Sequence, residues 1–319
     1  MYEQIKAPIE KELHLFNQRF QSLIESDFPL IQSISDHVFQ TKGKQIRPIL
    51  VLLTYRLFNK NPNDLAYLSA SLVEIMHAAS LMHDDVVDNA DQRRGSNSTR
   101  FLFGNKTAVL AGDYLLSNAI LKAHTPEDQK LMLLLVDVVK KMSEGELLQI
   151  EYTANPKITE AIYYQIIERK TAALFSCCCQ CGALAANANM EQLKKITLMG
   201  QHLGIAFQIK DDILDFKQDV NCGKKYANDL RERKITLPLL HYLNGVSLNE
   251  QKEIWNCLQK EELSEIEIHT ILTKVTTSDA LSFANEQAKK HTQKALVYLE
   301  ELGAKHDTTA LRLLINYIA

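Results

Sequence analysis

Two short runs of aspartate define the chemistry open to this chain. His83-Asp84-Asp85-Val86-Val87-Asp88 and Lys210-Asp211-Asp212-Ile213-Leu214-Asp215 share the form Asp-Asp-x-x-Asp, and each follows a long apolar-periodic stretch. On a helix, positions i and i+4 share a face, so Asp84 lies beside Asp88 and Asp211 beside Asp215. The middle aspartate of each set falls at the edge of that face. Three like charges within one turn repel, and aspartate is a poor helix former. A cation that offsets the repulsion is therefore expected. Hard carboxylate oxygens at this density suit Mg2+, which takes one or two carboxylates and keeps positions for water and substrate phosphate. A single motif of this kind reads equally well as a solvated acidic helix end. Chance supplies it about once in 25 chains of this length, so two copies point to a site.

Acidic clusters alone bind cations; the chain also supplies cations in short groups. Gly43-Lys44-Gln45-Ile46-Arg47-Pro48 places two at a loop-to-helix junction, and a helix start favours anions. Arg93-Arg94 follows the first acidic motif in a polar loop. Lys170-Thr171 interrupts an apolar helix. Gly223-Lys224-Lys225 and Arg231-Glu232-Arg233-Lys234 follow the second motif. Lysine grips phosphate as a point charge and arginine as a bidentate fork. Each group alone is ordinary surface charge. Beside two metal motifs they describe one diphosphate held between metals and cations, and a second held by cations. His77 shares the stripe of Asp84 and Asp88, at i, i+7 and i+11, about 10 Å along the axis from Asp84.

The elements that must position these residues read as helices. Apolar residues recur at three- and four-residue spacing, as in Leu65, Leu68, Leu72, Ile75, Met76 and Ala79, and in Leu131, Leu134, Leu135, Val138 and Val139. Alternating strand patterns are absent. About a dozen helices are expected, several longer than about 20 residues, beyond the usual mean. Breaks fall near 26–29, 41–43, 59–63, 89–98, 124–127, 155–159, 187–189, 220–229 and 244–248. No long linker, low-complexity tract or repeat divides the chain. A single all-α domain over 1–319 is the expectation, with the stretch after Glu250 read as polar scaffold.

Composition narrows the partners. The 319 residues carry a net charge of −3, which leaves no basic field for nucleic acid. Residues 1–12 have no apolar core of a signal peptide. Apolar runs such as 131–139, broken by Asp137, are too short for a transmembrane segment, so a cytoplasmic location is expected. Of six cysteines, four crowd into Cys177, Cys178, Cys179 and Cys181. Cys178 and Cys181 have Cys-x-x-Cys spacing, but Cys222 and Cys257 supply no second pair for a metal, so packed thiols are expected.

The motifs resemble those of a known family. Val73-Glu74-Ile75-Met76-His77-Ala78-Ala79-Ser80-Leu81-Met82-His83-Asp84-Asp85-Val86-Val87-Asp88, followed by Arg93-Arg94-Gly95, resembles the first aspartate-rich motif of the trans-isoprenyl diphosphate synthases, or polyprenyl synthetases. Phe207-Gln208-Ile209-Lys210-Asp211-Asp212-Ile213-Leu214-Asp215 resembles the second. Gly43-Lys44 with Arg47-Pro48, Lys170-Thr171, and Asp229 leading to Lys234-Ile235-Thr236-Leu237-Pro238 resemble the remaining signatures, in order, over about residues 40–240. The resemblance implies the isoprenoid synthase fold, a bundle of long helices around a central cavity, and a homodimer. It implies that Asp84, Asp85, Asp88, Asp211, Asp212 and Asp215 hold Mg2+, three ions per active site, on an allylic diphosphate. Arg93, Lys170, Thr171, Gln208, Lys224 and Lys234 would contact that same substrate, with Lys170 and the aspartates Asp84, Asp85, Asp88, Asp211 and Asp212 as the catalytic set. Lys44, Arg47, His77 and Arg94 would hold isopentenyl diphosphate. Arg233 stands where the family usually has glycine, Gln45 where it often has a basic residue, and Lys225, Tyr226 and Ala227 differ from its usual small loop.

The reaction implied is successive trans, head-to-tail condensation. Small residues at Ala79 and Ser80, just before the first motif, resemble an open tunnel and imply a long-chain polyprenyl diphosphate, with Met76, Leu115 or Leu116 as a possible floor. Other readings are a short-chain farnesyl or geranylgeranyl diphosphate synthase, a non-catalytic subunit of a heteromeric synthase, a terpene cyclase, and a di-iron bundle built on Glu74-x-x-His77. The cyclase reading is opposed by the second aspartate set and by Lys44 and Arg47; the di-iron reading lacks a second copy. The loop 220–234 is expected to close over bound substrate.

Overall fold

The three-and-four spacing of apolar residues is realised as helix nearly throughout. The computed structural model describes residues 1–93, 95–123, 129–217, 227–302 and 307–318. In chain order the helices are α1 (Tyr2–Lys6), α2 (Glu10–Ile24), α3 (Pro29–Gln40), α4 (Ile46–Arg56), α5 (Asp64–Val87), α6 (Thr99–Phe103), α7 (Asn105–Ala123), α8 (Gln129–Glu151), α9 (Glu160–Ile167), α10 (Ala173–Ala185), α11 (Met190–Asp215), α12 (Asn228–Arg231), α13 (Leu237–Gly245), α14 (Leu248–Leu258), α15 (Glu265–Thr277), α16 (Ala280–Glu300) and α17 (Thr309–Ile318). One short ribbon departs from the all-helical expectation: β1 (Gln92–Arg93) pairs antiparallel with β2 (Ser96–Asn97) just after the first aspartate motif. At two residues a strand, it is too short for the alternation that marks strands in sequence. Helix boundaries fall at the expected breaks except for 124–127 and most of 220–229, which lie outside the described residues. Further ends, unforeseen, lie at Gly104, between Leu258 and Glu265, and between Thr277 and Ala280.

The chain forms two compact units. One comprises Met1–Val139, Leu174–Gly200 and Tyr298–Tyr317. In it α5 lies along α7 and packs on α4 and α2. The Asn63 side chain caps α5 by accepting from the Ala66 N–H at 2.9 Å. Side chains with little or no exposure, among them Phe16 and Phe20 of α2, Leu50 and Leu52 of α4, and Leu72 and Ile75 of α5, fill the interior. Each such burial stabilises by about 1.5–3 kcal/mol. The cysteines Cys177, Cys178, Cys179 and Cys181 are buried on α10. By length and hydropathy α5 could cross a membrane, although no such run was expected; 72% of its apolar window is buried by its own neighbours.

The other unit comprises Lys140–Ala173, Gln201–Val297 and Ile318–Ala319. Its core gathers Ile205, Ile209 and Ile213 of α11 with Leu239 and Leu243 of α13, Ile254 and Leu258 of α14, Ile271 and Val275 of α15, and Ala284 and Ala288 of α16. The polar stretch after Glu250 thus supplies much of the core against which the second motif's helix packs. A capping box starts α15: the Ser264 hydroxyl accepts from the Glu267 N–H, and the Glu267 carboxylate accepts from the Ser264 N–H.

Candidate functional site

Both aspartate motifs stand where their helices run out. α5 ends at Val87 with Asp88 as its C-cap, and α11 ends at Asp215. The C-terminal end of a helix carries partial negative charge, so three carboxylates there oppose the dipole as well as one another. The outer aspartates Asp84, Asp88 and Asp215 are half-buried and Asp211 is exposed, whereas the middle ones turn inward: Asp85 and Asp212 are each 3% exposed. That differs from the expected edge position, because helical rotation takes the middle residue towards the packed face.

Asp85 is held by a cation. Arg93, at the end of the ribbon's first strand, approaches Asp85 Oδ1 with Nη2 at 2.5 Å and donates from Nε at 2.7 Å. Burial raises the Asp85 carboxyl above its usual range, and the Arg93 guanidinium pulls it back. The loop that carries Arg93 is pinned by Ser98, whose hydroxyl donates to the Ala90 carbonyl at 2.6 Å and caps α6. His83, just before the motif, reaches the Val109 carbonyl of α7 at 3.2 Å and Asp113 at 3.3 Å. Gly112 makes the room: a Cβ there would meet His83 Nε2 at 2.3 Å.

A cavity of about 50 Å3 opens on this unit beside Asp85 and Arg93, lined also by His77, Glu74, His37 and Lys42. It brings His77 together with the two residues expected on the other substrate. Lys44 and Arg47 are not among its lining residues. The Lys44 ammonium lies 5.2 Å from the Tyr317 ring centre, and the Arg47 guanidinium lies 5.6 Å from that of Phe175. Gln45 takes the left-handed backbone at the start of α4 and donates to Asn17 Oδ1 at 2.9 Å. Ala79, Met76 and Leu115 are buried, and the Ser80 hydroxyl donates to the His77 carbonyl. Arg94 and Lys224 lie outside the described residues, as do Lys225 and Tyr226.

Asp212 is held by neutral donors. The Tyr163 hydroxyl donates to Oδ2 at 2.6 Å and Gln208 Nε2 to Oδ1 at 2.8 Å, while Gln208 Oε1 accepts from the Thr171 hydroxyl at 2.6 Å. Thr171, Gln208 and Asp212 were all expected; Tyr163, 49 residues from Asp212 in sequence, gave no signal. Burial pushes the Asp212 carboxyl up to about 7, Tyr163 and Gln208 oppose the shift, and Asp211 and Asp215 add to it. Asp215 accepts from the Asn228 and Asp229 N–H groups, both at 3.0 Å, which ties it to the start of α12. Asp229 brings a further carboxyl, raised well above its usual range first by burial and then by Asp215. Lys234 donates its backbone N–H to the Asp229 carbonyl at 2.8 Å and pairs with Glu232. Arg233, in the glycine position of the resemblance, has φ +57°. That is the left-handed region where glycine costs nothing and other residues about 1–2 kcal/mol. Arg233 Nη1 donates to the Lys260 carbonyl at 2.8 Å.

Lys170 sits in a π-turn, Glu168–Ala172, between α9 and α10. Its ammonium lies 2.5 Å from Glu146 Oε2 and donates to Gln149 Oε1 at 3.2 Å. Neither partner was foreseen. The available signal was Gly145, an isolated glycine inside the apolar-periodic pattern of α8, where such a residue usually has a packing reason.

The donor types suit a hard divalent cation, although among the described residues no three of them are gathered into a ready-made metal cluster. Every candidate ligand is a carboxylate oxygen, and the middle carboxyls are buried with their protonation favoured, a burden that a bound cation relieves. The polyprenyl synthetase family profile matches residues 28–275. The octaprenyl diphosphate synthase of Haemophilus influenzae is 33% identical over 310 residues, 97% of this chain and 94% of that protein. Component 2 of the heptaprenyl diphosphate synthase of Bacillus subtilis is 30% identical over 311 residues, 97% of this chain and 88% of that protein. The crystal structure of a polyprenyl synthase from Caulobacter crescentus, in complex with calcium and isoprenyl diphosphate, superimposes with a TM-score of 0.92 at 28% identity, over 100% of this chain and 97% of that one.

Proposed function

The chain belongs to the polyprenyl synthetase family and is a trans-prenyltransferase, and we propose that it makes a linear long-chain polyprenyl diphosphate from isopentenyl diphosphate and an allylic diphosphate. The observation that carries this reading is the pair of Asp-Asp-x-x-Asp motifs, each closing a long helix with its middle carboxylate buried and hydrogen-bonded. The reading takes residues 1–319 as one catalytic domain, since the reaction uses both motifs.

In this account Asp84, Asp85, Asp88, Asp211, Asp212 and Asp215 hold the Mg2+ ions, three when diphosphate is bound. Magnesium supplies charge neutralisation to a departing diphosphate. Arg93, Lys170, Lys224 and Lys234 bind the oxygens of the allylic diphosphate and stabilise the charge that grows on them as the allylic C–O bond breaks and its electron pair leaves with the diphosphate. Thr171 and Gln208, already joined through hydrogen bonds to Asp212, orient that substrate. Lys44, Arg47, His77 and Arg94 hold isopentenyl diphosphate, whose double bond attacks the allylic cation. The adduct then loses a proton to the diphosphate released, and a longer allylic diphosphate results. Apolar walls exclude water that would quench the cation. Ala79 and Ser80 leave room for the growing chain, with Met76 towards its end. Closure by the loop 220–234 belongs to the same account, although 220–226 lie outside the described residues.

Large apolar side chains exposed on α7 and α8, among them Leu110, Leu121 and Leu133, support a homodimer, since a second copy would cover them. A cytoplasmic location goes with this reading. A subunit of a heteromeric synthase, inactive alone, is the second reading; the relative named component 2 of a heptaprenyl diphosphate synthase supports only its heteromeric part. Incubation of the purified chain alone with Mg2+, labelled isopentenyl diphosphate and farnesyl diphosphate, followed by sizing of the dephosphorylated lipid, tests both. A ladder ending at a long product is expected. A folded sample that incorporates no label with any allylic primer would overturn the synthase reading in favour of the subunit.

A further inference from the structure

The packing around Lys170 goes beyond its own role. A π-turn bulges the backbone by one residue, and such turns are rare and frequently lie at functional sites. Against this one lies Gly145 of α8. A Cβ at Gly145 would come within 2.5 Å of the Lys170 nitrogen, 3.0 Å of its Cα and 2.9 Å of Arg169 Cβ. Two of these are backbone atoms that cannot rotate aside, so any side chain at 145 moves the helix or the bulge. Glycine is a poor residue for a helix interior; close approach is what it provides here. The next residue, Glu146, sets its carboxylate 2.5 Å from the Lys170 ammonium, and Gln149, one turn further on, accepts from the same nitrogen at 3.2 Å. Lys170 and Glu146 are only 27% and 20% exposed, so the pair is partly shielded from water.

From this geometry we infer that Gly145 and Glu146 are positioning residues for Lys170: Gly145 fixes the bulge that carries it, and Glu146 parks its ammonium until an allylic diphosphate displaces the carboxylate. The inference rests on the reading of Lys170 as a contact for that diphosphate. A carboxylate on a substrate-binding cation orders the side chain but also competes with the ligand for its charge. A multiply charged diphosphate wins that competition and then meets a lysine already aimed.

The test is the affinity of the unreactive thiolo analogue of farnesyl diphosphate, with Mg2+, measured by calorimetry. The proteins are the wild type, Glu146→Gln, Lys170→Met and the double variant, with Gly145→Ala alongside. Glu146→Gln keeps a hydrogen-bonding side chain and removes the competing charge, so it is expected to tighten binding about 3- to 10-fold. Lys170→Met is expected to weaken it about 10-fold or more. In the Lys170→Met background Glu146→Gln should then change affinity by less than about 2-fold, because its effect passes through Lys170. Gly145→Ala should weaken binding with the helical spectrum unchanged; if that variant fails to fold, the Glu146 and Lys170 cycle decides alone. An equal effect of Glu146→Gln in both backgrounds, or no tightening in the wild type, overturns the positioning role. Unchanged affinity in Lys170→Met overturns the reading of Lys170 itself, and the inference with it.

Discussion

Asp85 and Asp212 occupy the same place in the same five-residue pattern, at the ends of helices of 24 and 26 residues, and both are 3% exposed. One faces Arg93 and the other faces Tyr163 and Gln208. A cation beside a buried carboxylate favours its ionised form strongly; neutral donors favour it less. Burial therefore shifts both carboxyls upward, but Asp212 reaches about 7, where protonated and ionised forms coexist near neutral pH. The local pattern sets which aspartates share a helical face. Side chains 4, 8 and 49 residues away in sequence set how readily each keeps its charge. The two motifs, alike in sequence, are thus chemically unequal before any ligand arrives.

Removal of one outer aspartate from either motif tests whether the inequality survives into catalysis. Asp84→Ala and Asp211→Ala are each expected to lower kcat by about 10³-fold, the scale of losing metal-assisted charge stabilisation, in assays of labelled isopentenyl diphosphate incorporation. Near-normal turnover in either would show that its motif is decoration. The partners of the middle aspartates should then separate. Arg93→Met leaves Asp85 buried without its cation and is expected to cost about 10²-fold in kcat/KM for the allylic substrate. Tyr163→Phe removes one neutral donor and should cost about 10-fold. Both variants carry a pH signature. The Tyr163 hydroxyl favours the ionised form of Asp212, so its loss raises that carboxyl further, and the acidic limb of Mg2+ half-saturation should move to higher pH. Arg93→Met raises Asp85 in the same way and should move that limb further, because a cation is lost rather than a neutral donor.

The helices that carry the motifs also differ in how they are moored. α5 is fixed to α7 through His83, whereas α11 meets α16 through His202 Nδ1 and His291 Nδ1, 3.0 Å apart, and through Lys210, which donates to Asn285 Oδ1 at 2.7 Å. Burial, then His202 and Lys294, lower His291 to about 4, against about 6.5 in an unfolded chain. Between those values the unfolded chain binds a proton that the folded one refuses, so stability falls as pH drops from about 6.5 towards 4. Both rings are partly solvated, and a loss on the order of 1 kcal/mol is expected. His291→Phe should flatten the fall of Tm between pH 7 and pH 5. The smallest effect belongs to the strained turn after the second motif: Arg233→Gly relieves the left-handed backbone but gives up the Lys260 contact, for a net change within about 1 kcal/mol by denaturant titration.

The sequence disclosed the parts of this arrangement that depend on period and local spacing. Three-and-four spacing announced the long helices, and the aspartate runs announced both motifs with their outer i, i+4 pairs. Gln208, Thr171 and Arg93 were legible because each lies in or near a motif. Tyr163, Glu146 and Gln149 were not, because each reaches its partner through tertiary packing across 49 and 21–24 residues, and a lone tyrosine or glutamate in a helix has no spacing to betray it. The inward turn of the middle aspartates was missed for the same reason: a helical wheel gives the angle between residues, not the direction of the core. The ribbon at Gln92–Asn97 is too short to show a period. Arg233 was visible as a departure from the family pattern, and its backbone angle gives the reason glycine usually stands there.

The central claim is that the two motifs, unequal in their partners, act on one diphosphate in one reaction. Single-turnover cleavage of farnesyl diphosphate in the presence of isopentenyl diphosphate, compared among the wild type, Asp84→Glu, Asp211→Glu and the double variant, tests it most directly. Residues that work as a unit lose most of their effect together, so the double variant is predicted to be little slower than the slower single one. Rate losses that multiply, or a single variant with the wild-type rate, would contradict the account.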